Sequence, residues 1–191
     1  MPQRGDELLA SRRAKLERLI QRGIDPFPAR FKRTHNTKSA SKAYIESEQT
    51  GVELQGIALA GRVTRIRRMG KASFIDIDDS EGRLQLLARS DLLSESYPLI
   101  DDIDLGDFIG ASGTLIRTKT GEISLNLSGI AFLSKALRPP PEKFHGLRDI
   151  EQRYRQRYLD LMSNRDVHFA MRSRSQIISK VRSFFDQRGY L

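Results

Sequence analysis

The stretch KASFIDIDDSEGRLQLLAR, residues 71–89, decides the fold. It reads as two strands, ASFIDIDD and GRLQLLAR, joined by the turn DSEG at 79–82. Alternation sends Ile75 and Ile77 to one side of the first strand and Phe74, Asp76 and Asp78 to the other. In the second, Leu84, Leu86 and Ala88 point inward, and Arg83, Gln85, Leu87 and Arg89 point outward. The hairpin therefore rests its aliphatic side on a core. Its other side, which should face water, carries a large aromatic beside carboxylates, an amide and arginines.

The period of two extends from about 54 to 134. It adds the strands LQGIALAGRVTRIRRM, DFIGASGTLIRTKT and GEISLNLSGIAFLS, with turns at MGK (69–71) and KTGE (119–122). Between the third and fourth strands, DLLSESYPLIDDIDLG has room for a short helix and a turn. Five short strands with a helix between the third and fourth is the arrangement of an OB-fold, a barrel that binds oligonucleotides. A generic Greek-key barrel satisfies the same periodicity. The first strand ends in RIRRMGK, where the apolar alternation breaks. A bend or bulge there, eased by Gly61, brings Arg65 and Arg67 to the outer surface. In GEISLNLS, Ile123, Leu125 and Leu127 point in, and Glu122, Ser124 and Asn126 point out. One face then gathers Phe74, Gln85, Glu122 and several arginines. Single-stranded nucleic acid needs such a face: an aromatic plane to stack a base, polar groups to read base edges, and arginines for phosphates. Covered by the N-terminal segment, Phe74 would instead be ordinary packing.

Around this barrel the period changes. DELLASRRAKLERLIQRG, 6–23, sets Leu8, Leu9, Arg12, Leu16, Leu19 and Ile20 on one stripe of a basic helix capped by Asp6 and stopped by Gly23. It docks by its leucines, and its arginines could also reach a phosphate backbone. GIDPFPARFKRTHNTKSASKAY, with two prolines and a polar run, predicts an extended arm packed through Phe27 and Phe31. SKALRPPPEKFHGLRD is a proline-stiffened linker. Helices return at 150–163 and 168–189, the latter with Met171, Ile177, Val181, Phe184 and Phe185 at helical spacing. The chain stops where an apolar strand begins, which points to a fragment. The domain reading is thus 1–50 helix and arm, 51–134 barrel, 135–149 linker, and 150–191 the start of a further domain.

The 191 residues carry a net charge of +9, with 38% apolar and 30% charged residues, which suits a soluble protein with a polyanionic partner. An acidic protein or a membrane surface would be served by the same charge. With no cysteine and three scattered histidines, His35, His145 and His168, no metal site is expected. Asp76, Asp78 and Asp79 lack the Gly and closing Glu of a calcium loop and read as solvated residues. Gly70-Lys71-Ala72 is not the end of a phosphate loop, because Arg65 stands where the loop's first Gly belongs. No run approaches the roughly 18 apolar residues of a membrane span, and no secretory signal opens the chain, so the cytoplasm is the expected location.

The segments AGRVTRIRRMGKASFIDIDDSEGRLQLL, LGDFIGASGTLIRTKTGEISL and LSKALRPPPEKFHGLRDIEQRYRQRYLDLMSN resemble the class II lysyl-tRNA synthetases of bacterial type. Aspartyl and asparaginyl relatives share the barrel, but TKTGE and KFHGLRD…RYRQRYLDL are similar to the lysine enzymes. The resemblance implies a mainly β fold: an OB-fold anticodon-binding barrel preceded by an amphipathic helix. The first helices of a truncated α+β class II catalytic domain follow it. It implies that Phe74 stacks on the central anticodon base of lysine tRNA and that Arg67 and Gln85 bond to base edges. Glu122 would contact the third base, with Lys71 and Arg65 on phosphates. ATP and magnesium are implied for the complete enzyme and no cofactor for this chain, which lacks the second and third class II motifs and should be inactive alone. The complete enzyme would be a homodimer. The competing function is a tRNA-binding or single-strand-binding OB module without chemistry.

Overall fold

In the computed structural model, residues 4–52, 54, 56–141, 147 and 149–190 are described. They fall into two compact units, residues 1–139 and 140–191. The linker reading over 142–146 and 148, with His145, and the strand beginning at Leu191 lie outside the described residues.

Five strands build the first unit: β1 (Ile57–Met69), β2 (Ala72–Asp78), β3 (Arg83–Arg89), β4 (Phe108–Arg117) and β5 (Ile123–Ser134). They close into a barrel in the order β1-β2-β3-β5-β4, with β1 against β4. Every pairing is antiparallel except β3 with β5, which run parallel. Between β3 and β4 lie the expected short helix, α3 (Ser90–Leu93), and a 3₁₀ turn, Ser94–Asp102. Leu59, Ile75, Ile77, Leu86, Leu125 and Leu127 fill the interior and are fully buried. Each stabilises the fold by about 1.5–3 kcal/mol of transfer free energy.

The expected bulge is present. Ile57, Leu59, Gly61 and Val63 face inward at alternate positions. Continued without interruption, that phase would drive Arg65 and Arg67 into the core. The pairing with β2 shifts between Val63 and Arg65, so one extra residue reverses the phase. Ile66 then packs on the core and the two arginines face out. Gly61 lies before the bulge; a β-carbon there would press on Ile77 and Asp78 of β2 at 3.0 Å, so its role is close strand approach.

Helix α1 spans Arg4–Gln21, so Asp6 lies in its first turn and does not cap it. It docks through Leu19 and Arg12, whereas Leu8 and Ile20 face solvent. Arg12, Lys15 and Arg18 of this helix, with Arg22 just past its end, bond to the barrel unit. Arg12 donates to the carbonyls of Ala136 (2.6 Å) and Leu105 (3.0 Å). Lys15 donates to Asp104 at 2.6 Å, and Arg18 and Arg22 share Asp102. Beside them, fully buried Lys135 bridges Asp104 (2.6 Å) and Asp107 (2.7 Å).

The segment read as an extended arm contains a second helix, α2 (Thr37–Thr50). Asn36 caps it in a reciprocal box with Ser39, and Thr37, Ala40 and Tyr44 turn towards the barrel at helical spacing. Small inward residues concealed the stripe. The arm's two aromatics differ. Phe31 packs against Gly110 so closely that a β-carbon there would stand 2.5 Å from its ring, but Phe27 is exposed.

Asp79 joins α2 to the β2–β3 turn. It accepts from the Thr37 amide (2.8 Å) and hydroxyl (2.7 Å) and from the amides of Glu81 and Gly82. It is therefore not a freely solvated residue. Burial pushes its carboxyl upward, but these hydrogen bonds outweigh burial and hold it below its ordinary value. A depressed carboxyl stabilises the fold above its unfolded pKa, and that stability is lost as pH falls through the folded value. Asp79→Asn should cost about 1 kcal/mol at pH 7, the net worth of such bonds after solvent screening. Its deficit should shrink once pH drops below about 3.9, the unfolded value. Urea midpoints at pH 7, 4 and 2.5 test this, and a deficit constant across the series counts against it.

The second unit is helical: α4 (Ile150–Arg155), α5 (Arg157–Ser163) and α6 (Arg165–Asp186). The single helix expected over 150–163 is broken at Gln156, whose φ of −117° and ψ of 57° leave the helical region. Buried Asp160 gathers Arg153, Arg157 and Asn164, which explains the polar pattern of RYLDL. Ile177, Val181, Phe184 and Phe185 of α6 are exposed. Among the described residues, no helix is long and apolar enough to cross a membrane.

Candidate nucleic-acid interface

The registers place two rows of outward residues side by side. Arg65 pairs with Asp76, Asp76 with Gln85, and Gln85 with Ser124. In the next row Arg67 pairs with Phe74, Phe74 with Leu87, and Leu87 with Asn126. The first row is polar and the second offers an apolar platform with an arginine at its edge.

Phe74 is half-buried, with the Arg67 guanidinium 5.5 Å from its ring centre, within cation–π range. Beside it runs an open groove lined by Lys71, Met69, Ala72, Leu87, Arg89, Ser90 and Asp91. Arg89 is held by Asp91 through two bonds, of 2.6 and 3.1 Å. The side chains of Arg67 and Lys71 enter no hydrogen bond or ion pair among the described residues.

Gln85 lies almost buried, 4% exposed, and both ends of its amide are engaged. Its oxygen accepts from the Ser124 hydroxyl at 2.9 Å, and its nitrogen donates to Glu122 at 3.0 Å. Glu122 stands just before β5 in a well-fixed turn. Gly121 takes the left-handed φ of 84°, the Thr118 hydroxyl accepts from the Glu122 amide, and Arg117 clamps the Gly121 carbonyl at 2.8 Å. Arg117 in turn pairs with Glu48 of α2, whose carboxyl lies below its ordinary value chiefly because Arg117 donates to it.

Asp76 departs most from the sequence reading. It faces outward yet is 3% exposed, beneath Arg65 at 3.8 Å and Arg83 at 3.6 Å. Its Oδ1 and the Oδ1 of Asn126 are the buried side-chain oxygens without a hydrogen-bond partner among the described residues. Both belong to these two rows.

All six sequence-predicted residues, Arg65, Arg67, Lys71, Phe74, Gln85 and Glu122, therefore lie on this face and its rims. The sequence reading passed over Arg83, Leu87 and Ser124 as members of the site. Arg83 and Leu87 adjoin Asp76 and Phe74 across the β2–β3 hairpin, and Ser124 reaches Gln85 through the parallel β3–β5 pairing, which alternation within each strand cannot supply. No group of three or more His, Asp or Glu among the described residues fits a metal ion.

Comparisons with known proteins agree with the barrel fold. Residues 57–133 match the tRNA anti-codon family, described as an OB-fold nucleic acid binding domain. The chain is 49% identical over 186 residues to a lysine–tRNA ligase of Dehalococcoides mccartyi, covering 96% of this chain and 37% of that protein. A lysine–tRNA ligase of Lactococcus lactis is 48% identical over 185 residues, 94% of this chain and 37% of its own. One from Lysinibacillus sphaericus is 45% identical over 189 residues, 97% and 38% respectively. The chain thus spans 37–38% of the length of these relatives.

Proposed function

We propose that this chain, homologous to the N-terminal part of lysine–tRNA ligases, reads the anticodon of lysine tRNA for such an enzyme. The observation that carries the reading is the outward Phe74 between Arg67 and Leu87, one row from the bonded Gln85–Glu122 pair. Phe74 stacks the central base, Arg67 and Gln85 bond to base edges, and Glu122 meets the third base. Lys71 and Arg65 hold phosphates. A carboxylate such as Glu122 opposes a polyanion unless it accepts a hydrogen bond from a base, so its presence here favours base reading over backbone binding alone.

The domains follow from this reading: 51–134 binds the anticodon, 135–149 links, and 150–191 opens the catalytic domain. The complete protein attaches lysine to its tRNA in the cytoplasm as a homodimer. ATP and magnesium supply the activation of lysine in that protein. No residue of this chain is assigned to that step. The chain's contribution is selecting the tRNA and orienting it.

The test is equilibrium binding of the chain to a lysine anticodon stem-loop and to one whose central uridine is replaced. A preference of roughly tenfold or more is expected, since one well-made base contact is worth about 1–3 kcal/mol. Equal affinity falling steeply with salt would reduce the face to nonspecific phosphate binding.

A further inference from the structure

Ser124 is fully buried on the outer face of β5, and its hydroxyl donates to Gln85 Oε1 at 2.9 Å. A buried hydroxyl reaching across parallel strands is not needed for packing, since alanine would fill most of the same space. Its effect is on the amide beyond it. The carboxylate of Glu122 can only accept, so the Gln85 nitrogen must be the end that faces it, 3.0 Å away. The amide oxygen then points to the buried side, where the Ser124 hydroxyl donates to it. The three groups form one directed chain, hydroxyl to amide oxygen and amide N–H to carboxylate, in which each bond polarises the next. The second Gln85 N–H enters no further hydrogen bond among the described residues.

We propose that Ser124 is a positioning residue for base recognition, resting on the anticodon reading above. It fixes Gln85 with its N–H side outward, so that the residue demands a carbonyl or ring-nitrogen acceptor from the base. Without the hydroxyl, the amide oxygen is buried unsatisfied, and Gln85 must turn away or expose itself to recover a partner. Ser124 does not touch the RNA in this arrangement; its effect passes wholly through Gln85.

The experiment measures binding of the lysine anticodon stem-loop to the whole chain carrying Ser124→Ala, Ser124→Cys, Gln85→Ala or Ser124→Ala with Gln85→Ala, with thermal melting of each. Ser124→Ala should weaken binding about five- to tenfold, the usual worth of one buried hydrogen bond set against an unsatisfied group. Ser124→Cys, which fills the space with a poor donor, should match it. In the Gln85→Ala background, Ser124→Ala should cost nothing further, whereas a purely structural role would reduce binding in both backgrounds. Unchanged binding by Ser124→Ala, or an equal loss in both backgrounds, overturns the proposal while leaving the anticodon reading in place. If Gln85→Ala and Phe74→Ala also bind as the parent does, the anticodon reading fails and takes this inference with it.

Discussion

Phe74→Ala should lower affinity for a lysine anticodon stem-loop by on the order of ten- to a hundredfold, as loss of one base–aromatic stack is worth about 1–3 kcal/mol. The ring is suited to stacking because it stands outside the barrel core, with Leu87 beside it and the Arg67 guanidinium 5.5 Å away. The inward residues of its strand, Ile75 and Ile77, are fully buried on the opposite face. The variant should therefore melt close to the parent. Phe74→Tyr, which keeps the plane, should retain most of the affinity. Two results would count against the assignment. Unchanged binding by the alanine variant would mean that no base rests on the ring. A large loss of thermal stability together with binding would mean that Phe74 is ordinary packing, as the sequence alone allowed.

The barrel was legible because alternation is a local signal. Each strand's inward residues are two apart, and the turns between them announce themselves through Gly70, Gly82 and Gly121. Even the bulge could be read, since Arg65 and Arg67 continue the inward phase of Val63 and could not be accommodated there. What escaped the sequence depends on distant partners. The basic residues of α1 looked equally ready for phosphate, because their carboxylates lie 84 and 89 residues away. Helix α2 was hidden because its inward stripe is built from Thr37 and Ala40 in place of leucines, and its cap is an asparagine–serine box within a polar run. Asp76 looked solvated because two arginines on neighbouring strands, Arg65 and Arg83, cover it only after the sheet has formed.

The largest loss of stability is expected at Lys135. Its ammonium is fully buried between Asp107, itself wholly buried, and Asp104, which also receives Lys15. Asp107 is further tied to the amides of Asp104 and Ala136, both at 2.8 Å. Arg12 of α1 bonds to the Ala136 carbonyl, so the cluster joins the end of β5, the start of β4 and the N-terminal helix. A buried ion pair gives little net stability over an apolar replacement, because desolvation offsets its attraction. Removing one partner is different: the Asp107 charge stays buried with two backbone amides and no cation beside it. Lys135→Met should therefore cost about 3–5 kcal/mol, lowering the melting temperature by about 10 °C or more. Adding Asp107→Asn should recover part of that loss, since the stranded charge is then gone. Stem-loop affinity per folded molecule should stay unchanged in both variants, because the cluster shares no residue with the Phe74 rows. A cost below about 1 kcal/mol would show that water reaches Asp107 once the lysine is gone. In that case the attachment of α1 would rest on Leu19, the Arg12 and Lys15 bonds and the half-exposed arginine pairs to Asp102, the last individually weak.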